Sequence, residues 1–346
     1  MAKKTVAVGG VVLGTGAPAV QSMTKVKTSD AENCVAQIHR LEDAGCDIIR
    51  VSVLDEEDAR AIARIKDKIG IPLVADIHFS ARLAVLAAEH GADKLRVNPG
   101  NLGGEPEVKL VADCLKAHKI PVRVGANTGS IEKSVYEKYG RSERALVESA
   151  LMQAALFEKY GVSDIVLSVK ASDVPLTVPA YREAARRSDY PLHIGVTEAG
   201  FGDAGLIKGA AGIGALLVDG IGDTVRVSLS DDPVKEVEAA HGILRACGLE
   251  QDFVEVVSCP TCGRCEYDCA GLARRVSERV KGVKKPLKVA VMGCVVNGPG
   301  EARECDLGIA GGRDFCMIFQ KGEENERVRT EDAEGAFFAR LEQLLQ

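Results

Sequence analysis

No unbroken apolar run of about 18 residues occurs in this 346-residue sequence, so no segment reads as a membrane-spanning helix. The opening "MAKKTVAVGGVVLG" lacks the apolar core of a secretory signal. A strong charge of either sign is also missing: 44 Lys and Arg against 50 Asp and Glu leave a formal charge of −6. That balance argues against a general binder of nucleic acid or membrane surface, so an anionic ligand has to be met by locally placed arginine and lysine. No G-x-G-x-x-G follows the first strand, which removes the usual mark of a dinucleotide site. The reducing cytosol is the expected compartment, and there eleven cysteines point to metal or redox chemistry rather than to disulfides.

With 46% hydrophobic residues, the chain can bury a sizeable core and is long enough for two domains. "KTVAVGGVVLG" predicts a short β-hairpin with a Gly-Gly turn. After it, "AVQSMT", "DIIRVSV", "PLVADIHF", "KLRVNPGN", "PVRVGANTG", "DIVLSVKAS", "PLHIGVTEAG" and "DTVRVSLS" read as strands. Helical stretches such as "DEEDARAIARIKDKIG" and "ERALVESALMQAALFEKYG" separate them. Near-continuous apolar strands alternating with helices imply a parallel sheet covered on its helical side. Eight such units fit an α/β TIM (β/α)8 barrel over residues 1–248; an open doubly wound sheet is the alternative. A small α/β domain over 249–346 follows. It holds a strand at "DFVEVVSCP", a helix, a strand "LKVAVMGC", a glycine-rich loop, a strand "DFCMIFQKG" and a C-terminal helix.

Seven of the eleven cysteines lie between Cys259 and Cys316. "CPTCGRCEYDC", Cys259 to Cys269, has the C-x2-C-x2-C-x3-C spacing of bacterial ferredoxins, but Ala270 stands where the ferredoxin run has proline. Cys265 and Cys269 share an i, i+4 stripe with Leu272, Ala273, Val276 and Val280, which predicts core thiols on a buried helix face. Cys259 and Cys262 flank Pro260 in a strand-to-helix turn, where helix-start amides would lower a thiol pKa. Their C-x-x-C spacing serves an iron–sulfur cluster, a zinc site or a redox dithiol. Cys294 ends a strand beside a Gly-Pro-Gly loop and is well placed as a third ligand. Cys305 falls in a charged loop and is expected to be exposed; Cys316 sits among apolar strand residues and reads as core.

Taken together, "SCPTCGR", "GCVVNGPGEAR" and "GIAGG" behind "VQSMT", "VADIHF", "RVNPGN", "VRVGANTGS", "LSVKAS" and "GVTEAG" closely resemble the (E)-4-hydroxy-3-methylbut-2-enyl diphosphate synthase family in its two-domain bacterial form. The resemblance spans about residues 5–320 and implies a TIM barrel followed by a [4Fe-4S] domain. It implies reductive ring opening of 2-C-methyl-D-erythritol 2,4-cyclodiphosphate to the linear diphosphate, in the non-mevalonate route to isoprenoids. By the family pattern the cluster ligands would be Cys259, Cys262, Cys294 and Glu301, which makes the ferredoxin-like spacing coincidental. Cys265 and Cys305 depart from that pattern, where a non-cysteine residue is usual. A carboxylate is harder than a thiolate and exchanges more readily, so Glu301 would leave one iron corner open to exchange.

A diphosphate substrate calls for cations at the barrel mouth. Arg50, Arg96, Arg123 and Lys170 stand in or at the ends of four predicted strands and Arg226 on a fifth, each needing a carboxylate or a ligand anion as partner. Asp76 and Glu198 are the barrel acids that would pair with them otherwise. The resemblance places Asp76, His78, Asn98, Asn127, Ser168, Thr197 and Ser228 in the same mouth. It makes Glu198 the acid/base candidate and sets Asn297 against the substrate near the cluster. His39, His90, His118 and His241 fall in helical stretches and read as surface or packing residues. Two-electron reduction through a one-electron cluster requires a carrier, flavodoxin or ferredoxin, to dock twice. Because the last barrel helix runs back towards the bottom face, the second domain would reach a mouth most simply by capping the partner's barrel in a homodimer. Three rivals stand beside this reading. A radical S-adenosylmethionine enzyme lacks its C-x3-C-x2-C motif here, a zinc-stabilised sugar-phosphate-binding barrel would do no redox chemistry, and a plain electron carrier would have no use for a cation-lined barrel.

Overall fold

Alternation along eight short strands decides the architecture, which a computed structural model describes for residues 3–296, 300 and 302–346. The chain divides into two compact units, Met1–Leu249 and Glu250–Gln346. In the first, strands β1 (Val6–Val8) and β2 (Val11–Leu13) form the antiparallel hairpin. Strands β3 (Ala19–Met23), β4 (Ile48–Val53), β5 (Leu73–Ile77), β6 (Lys94–Val97), β7 (Val122–Asn127), β8 (Ile165–Lys170), β9 (His193–Ile194) and β10 (Thr224–Val225) follow. They are parallel in the order β8-β7-β6-β5-β4-β3-β10-β9, and a parallel bridge between Leu167 and Leu192 joins β8 to β9 and closes the ring. Helices α1 (Ala31–Asp43), α2 (Glu56–Lys66), α3 (Ala81–Glu89), α4 (Glu105–His118), α6 (Glu143–Lys159), α7 (Val174–Arg187), α8 (Gly202–Val218) and α9 (Pro233–Ala246) cover it. A short α5 (Lys133–Tyr139) is inserted after β7. Several helices start on an acceptor side chain: Asp55 takes the Asp58 N–H at 2.9 Å and Asp173 that of Leu176 at 3.0 Å. Each such cap stabilises by about 1 kcal/mol.

Every second strand residue faces the helices. Ile49, Val51 and Val53, Ala75 and Ile77, Leu95 and Val97, Val122, Val124 and Ala126, and Leu167 and Val169 all belong to the large core. Each aliphatic side chain buried there contributes about 1.5–3 kcal/mol. The residues between them point into the barrel. At its lower end they are apolar: Ala19, Ile48, Val74 and Val166 pack against Val6, Val8 and Leu13 of the hairpin, which plugs the floor. Higher up they are polar and charged.

The second unit is a mixed five-stranded sheet, β11 (Val254–Ser258), β12 (Leu287–Met292), β13 (Leu307–Ala310), β14 (Phe315–Gln320) and β15 (Glu326–Arg329), in that order. The first two pairings are parallel and the last two antiparallel. Helices α10 (Cys269–Val280) and α11 (Thr330–Leu345) bury Leu272, Val276, Phe337 and Leu341 against Val289, Val291, Ile309 and Ile318. Part of the stretch read from sequence as a glycine-rich loop is strand β13. Gly308 fits there because a Cβ would fall 2.0 Å from the Phe319 ring. Strand β15 has no counterpart in the sequence reading; three of its four residues are charged.

Three cysteine expectations are corrected. Cys265 is not on the helix: Asp268 accepts the Gly271 N–H at 2.9 Å and caps α10, so the helix starts at Cys269 and Cys265 lies half-buried in the preceding turn. The same shift takes Cys262 away from any helix start and puts it in an exposed turn. Cys305 is 3% exposed, packed with Ala290, Met292, Ala302, Ala310 and Phe319 on the sheet face away from the main helical core. Burial raises its thiol pKa. Cys269 and Cys316 are core thiols, as their apolar surroundings in the sequence predict.

Candidate functional site

Above the apolar floor, inward positions on successive strands bring unlike charges to one level. Register pairs Asp76 with Arg96 and Arg96 with Arg123. Arg96 Nη1 donates to Asp76 Oδ1 at 2.9 Å and lies 3.1 Å from His78 Nε2. Arg50 Nε is 3.6 Å from Asp76 Oδ2, and its guanidinium also donates to Met23 Sδ from Nε and Nη2. Burial would raise the Asp76 pKa, but Arg50, Arg96, His78 and Arg123 outweigh it and hold the carboxyl at about 2. Arg226 reaches Glu236 on α9 at 4.0 Å. Among the described residues Arg123 and Lys170 form no ion pair, and burial together with the surrounding guanidinium groups depresses the Lys170 pKa well below its usual value.

These side chains enclose a cavity of ≈ 170 Å³ at the strand ends, lined by Arg50, Asp76, His78, Arg96, Arg123, Asn127, Lys170, Thr197, Arg226 and Ser228. Five cations face one carboxylate there, an arrangement suited to an anion with many acceptor oxygens. Backbone at Gly195 (φ +158°) makes room: a Cβ would lie 2.5 Å from the Arg226 carbonyl oxygen and 2.9 Å from Lys170 Nζ. Three expected members stand off the wall. Asn98 is buried and accepts the Gly100 N–H at 3.2 Å, starting the turn Pro99–Asn101. Ser168 is buried against Gly125, where an added Cβ would meet its Oγ at 2.4 Å. Glu198 is exposed on the β9 loop in left-handed backbone (φ 52°), which costs a non-glycine residue roughly 1–2 kcal/mol.

In the second unit Cys259, Cys262 and Cys294 rim one cavity of ≈ 380 Å³ with Pro260, Thr261, Arg264 and Gly293. Thr261, a β-branched residue, is held at φ 65°, an outlier that turns the two flanking thiols. A Cβ at Gly293 would lie 3.4 Å from Cys259 Sγ and 3.2 Å from Cys265 Sγ, so the glycine leaves the thiols room. Soft donors around one shared space fit an iron–sulfur cluster. Among the described residues no three His, Cys, Asp or Glu side chains form a single-ion site. Asn297 and Glu301 lie outside the described residues.

Sequence reasoning missed Glu236, the buried acid that answers Arg226. The available signal was a carboxylate beside Val237 and one turn before Ala240 on the buried face of α9. It also missed Lys94, His193 and Thr261. A larger groove of ≈ 990 Å³ on the outside of the barrel is lined by charges that neutralise one another, Arg182 with Asp219 at 2.6 Å and Arg187 with Glu148 at 3.0 Å. No described helix is long and apolar enough to cross a membrane.

Similarity to known proteins follows the same division. The GcpE TIM-barrel domain matches residues 3–241 and the GcpE protein C-terminal domain residues 255–343. A protein of Caldanaerobacter subterraneus subsp. tengcongensis named 4-hydroxy-3-methylbut-2-en-1-yl diphosphate synthase (flavodoxin) is 54% identical over 330 residues, 95% of this chain and 93% of the relative. Proteins of the same name from Thermotoga petrophila (53%, covering 95% and 94%) and Desulfotalea psychrophila (49%, covering 99% and 95%) are similar. Among solved structures, dihydropteroate synthase from Stenotrophomonas maltophilia superposes with a TM-score of 0.53 at 15% identity over 70% of this chain and 96% of that one, a likeness of fold alone. With both units matched and relatives about half identical along nearly its whole length, this chain belongs to the GcpE family.

Proposed function

We propose that the protein is a 4-hydroxy-3-methylbut-2-en-1-yl diphosphate synthase, which converts 2-C-methyl-D-erythritol 2,4-cyclodiphosphate to (E)-4-hydroxy-3-methylbut-2-enyl diphosphate. The balance is two electrons and two protons taken up and one water released. The carrying observation is the cavity at the strand ends, where five cations meet a single carboxylate. Arg50, Arg96, Arg123, Lys170 and Arg226 would bind the diphosphate oxygens, with Asn127, Thr197, Ser228 and the more deeply set Asn98 and Ser168 orienting the sugar carbons. Asp76 and His78 hold Arg96 in place for that contact. Glu198, exposed on a strained loop, is the proton donor to the departing hydroxyl, and Asn297 orients that end of the substrate.

A [4Fe-4S] cluster held by Cys259, Cys262, Cys294 and Glu301 would supply single electrons and a Lewis-acidic iron corner. The three thiols rimming one cavity support the cysteine part of this ligand set. Barrel residues 1–248 would then bind substrate and residues 249–346 the cluster. Flavodoxin, named for the relatives, or ferredoxin is the electron donor, and a homodimer in which each cluster domain caps the partner's barrel completes the site in the cytoplasm. The test is anaerobic turnover with dithionite and a viologen, following the cyclic diphosphate. Brown protein and conversion to the linear diphosphate are expected. Colourless, zinc-containing protein that binds the cyclic compound without converting it would overturn the proposal in favour of a non-redox barrel.

A further inference from the structure

The loop from β10 to α9 carries two residues of the mouth wall, Arg226 and Ser228, and a lysine from the loop after β3 holds it in place. Lys25 Nζ donates to the carbonyl oxygen of Leu229 at 3.0 Å and to that of Asp231. Lys25 is itself anchored. Its N–H donates to Gln37 Oε1 on α1 at 2.7 Å, and the N–H of Thr24 before it donates to the Arg50 carbonyl at 3.0 Å. On its other side the loop is tied to the β9 loop, where the Ser230 N–H donates to the Gly200 carbonyl at 3.0 Å.

The same ammonium bears on the acid behind Arg226. Lys25 Nζ lies 3.5 Å from Glu236 Oε1, which also accepts the Leu229 N–H at 3.0 Å. Glu236 Oε2 accepts from Ser22 Oγ at 3.5 Å and stands 4.0 Å from Arg226 Nη2. One buried carboxylate therefore serves two cations, a hydroxyl and a backbone amide. Arg226 has the loosest share of it, beyond hydrogen-bonding reach. The buried Nε of Arg226 has no partner among the described residues. Arg96, by contrast, is held on Asp76 at 2.9 Å.

A loosely held guanidinium suits a residue that has to turn its donors to an arriving anion. A carboxylate closed on Arg226 would occupy those donors and repel the anion. We propose that Lys25 is a positioning residue for the mouth: it fixes the β10–α9 loop and draws Glu236 towards itself, which leaves the Arg226 guanidinium free for the diphosphate of the substrate. Lys25 is not part of the cavity wall and acts through Glu236. The inference rests on the proposed function, in which Arg226 binds diphosphate oxygens.

The probe is inorganic diphosphate, titrated calorimetrically into full-length protein purified without oxygen. With 40% of its side chain exposed, Lys25 can be replaced without opening the core. Lys25→Met should weaken diphosphate binding about tenfold, the loss of one charge-assisted contact. In an Arg226→Met background the same change should cost less than about twofold, because the residue through which Lys25 acts is gone. Lys25→Arg, which keeps the charge and the donors, should bind within about twofold of wild type. Unchanged affinity in Lys25→Met would overturn the inference and leave the proposed function standing. So would an equal loss in both backgrounds, the mark of a general loss of positive charge, or an affinity of Lys25→Arg as low as that of Lys25→Met. Wild-type protein that does not bind diphosphate, or binds it no better than Arg226→Met, would overturn the reading of the mouth and this inference with it. Should Arg226→Met not fold, the comparison of Lys25→Met with Lys25→Arg decides.

Discussion

Replacing Asp76 by asparagine removes the one carboxylate in the mouth while keeping its shape, and the structure sets the size of the effect. The folded carboxyl is held at about 2 against an ordinary 3.8. That depression corresponds to roughly 2–3 kcal/mol of stabilisation at neutral pH. The asparagine amide would also leave Arg50 and Arg96 buried without a countercharge, so the total loss is expected at about 3–5 kcal/mol. Because the folded pKa is depressed, the wild-type advantage is fully present above pH 3.8. It is lost as pH falls through about 2. Urea unfolding followed by circular dichroism should therefore show a constant gap between wild type and Asp76→Asn from about pH 5 to 8, narrowing below about pH 4. A variant within about 0.5 kcal/mol of wild type at about pH 7 would refute the claim that Asp76 neutralises the two arginines.

Other outcomes follow from the proposed function. Glu301→Cys should keep a brown cluster but lose turnover; an intact cluster with undiminished activity would show that an exchangeable oxygen ligand is not needed. Mixing a Cys259→Ser chain with an Arg123→Met chain should restore part of the activity, and no recovery in verified heterodimers would count against capping of the partner's barrel. Cys265→Ser should leave iron content and turnover unchanged, whereas loss of iron would make Cys265 a ligand in place of Glu301. Gly293→Ala, whose methyl would press on two thiols, should lower iron occupancy without unfolding the sheet, as read by iron analysis beside circular dichroism.

The barrel was legible because its signal is local. Each strand alternates residues for the helices with residues for the interior, so Arg50, Arg96, Arg123 and Lys170 could be assigned to one mouth from strand position alone, whereas Asp76 was placed there by the family resemblance. What pairs with them was not legible, since it comes from elsewhere. Glu236 reaches Arg226 from α9, and Met23 meets Arg50 from the neighbouring strand. The i, i+4 relation of Cys265 to Cys269 mimics a helical stripe, while Asp268 supplies a better start three residues later. Cys305 sits between Glu304 and Asp306, and that charged context hid a side chain turned inward. Strand β13 was obscured by Gly308 and by Gly311 just beyond it, which make room for Phe319 and Tyr267 rather than a turn.

Turnover as proposed requires a reducible cluster in the second unit that senses the cyclic diphosphate. Electron paramagnetic resonance of anaerobically purified, dithionite-reduced protein, recorded with and without the substrate, tests it. A cluster signal that changes when the cyclic diphosphate is added, and does not change in Arg123→Met, is the predicted result. A protein without a cluster signal, or one whose signal is the same with and without the substrate, would contradict it.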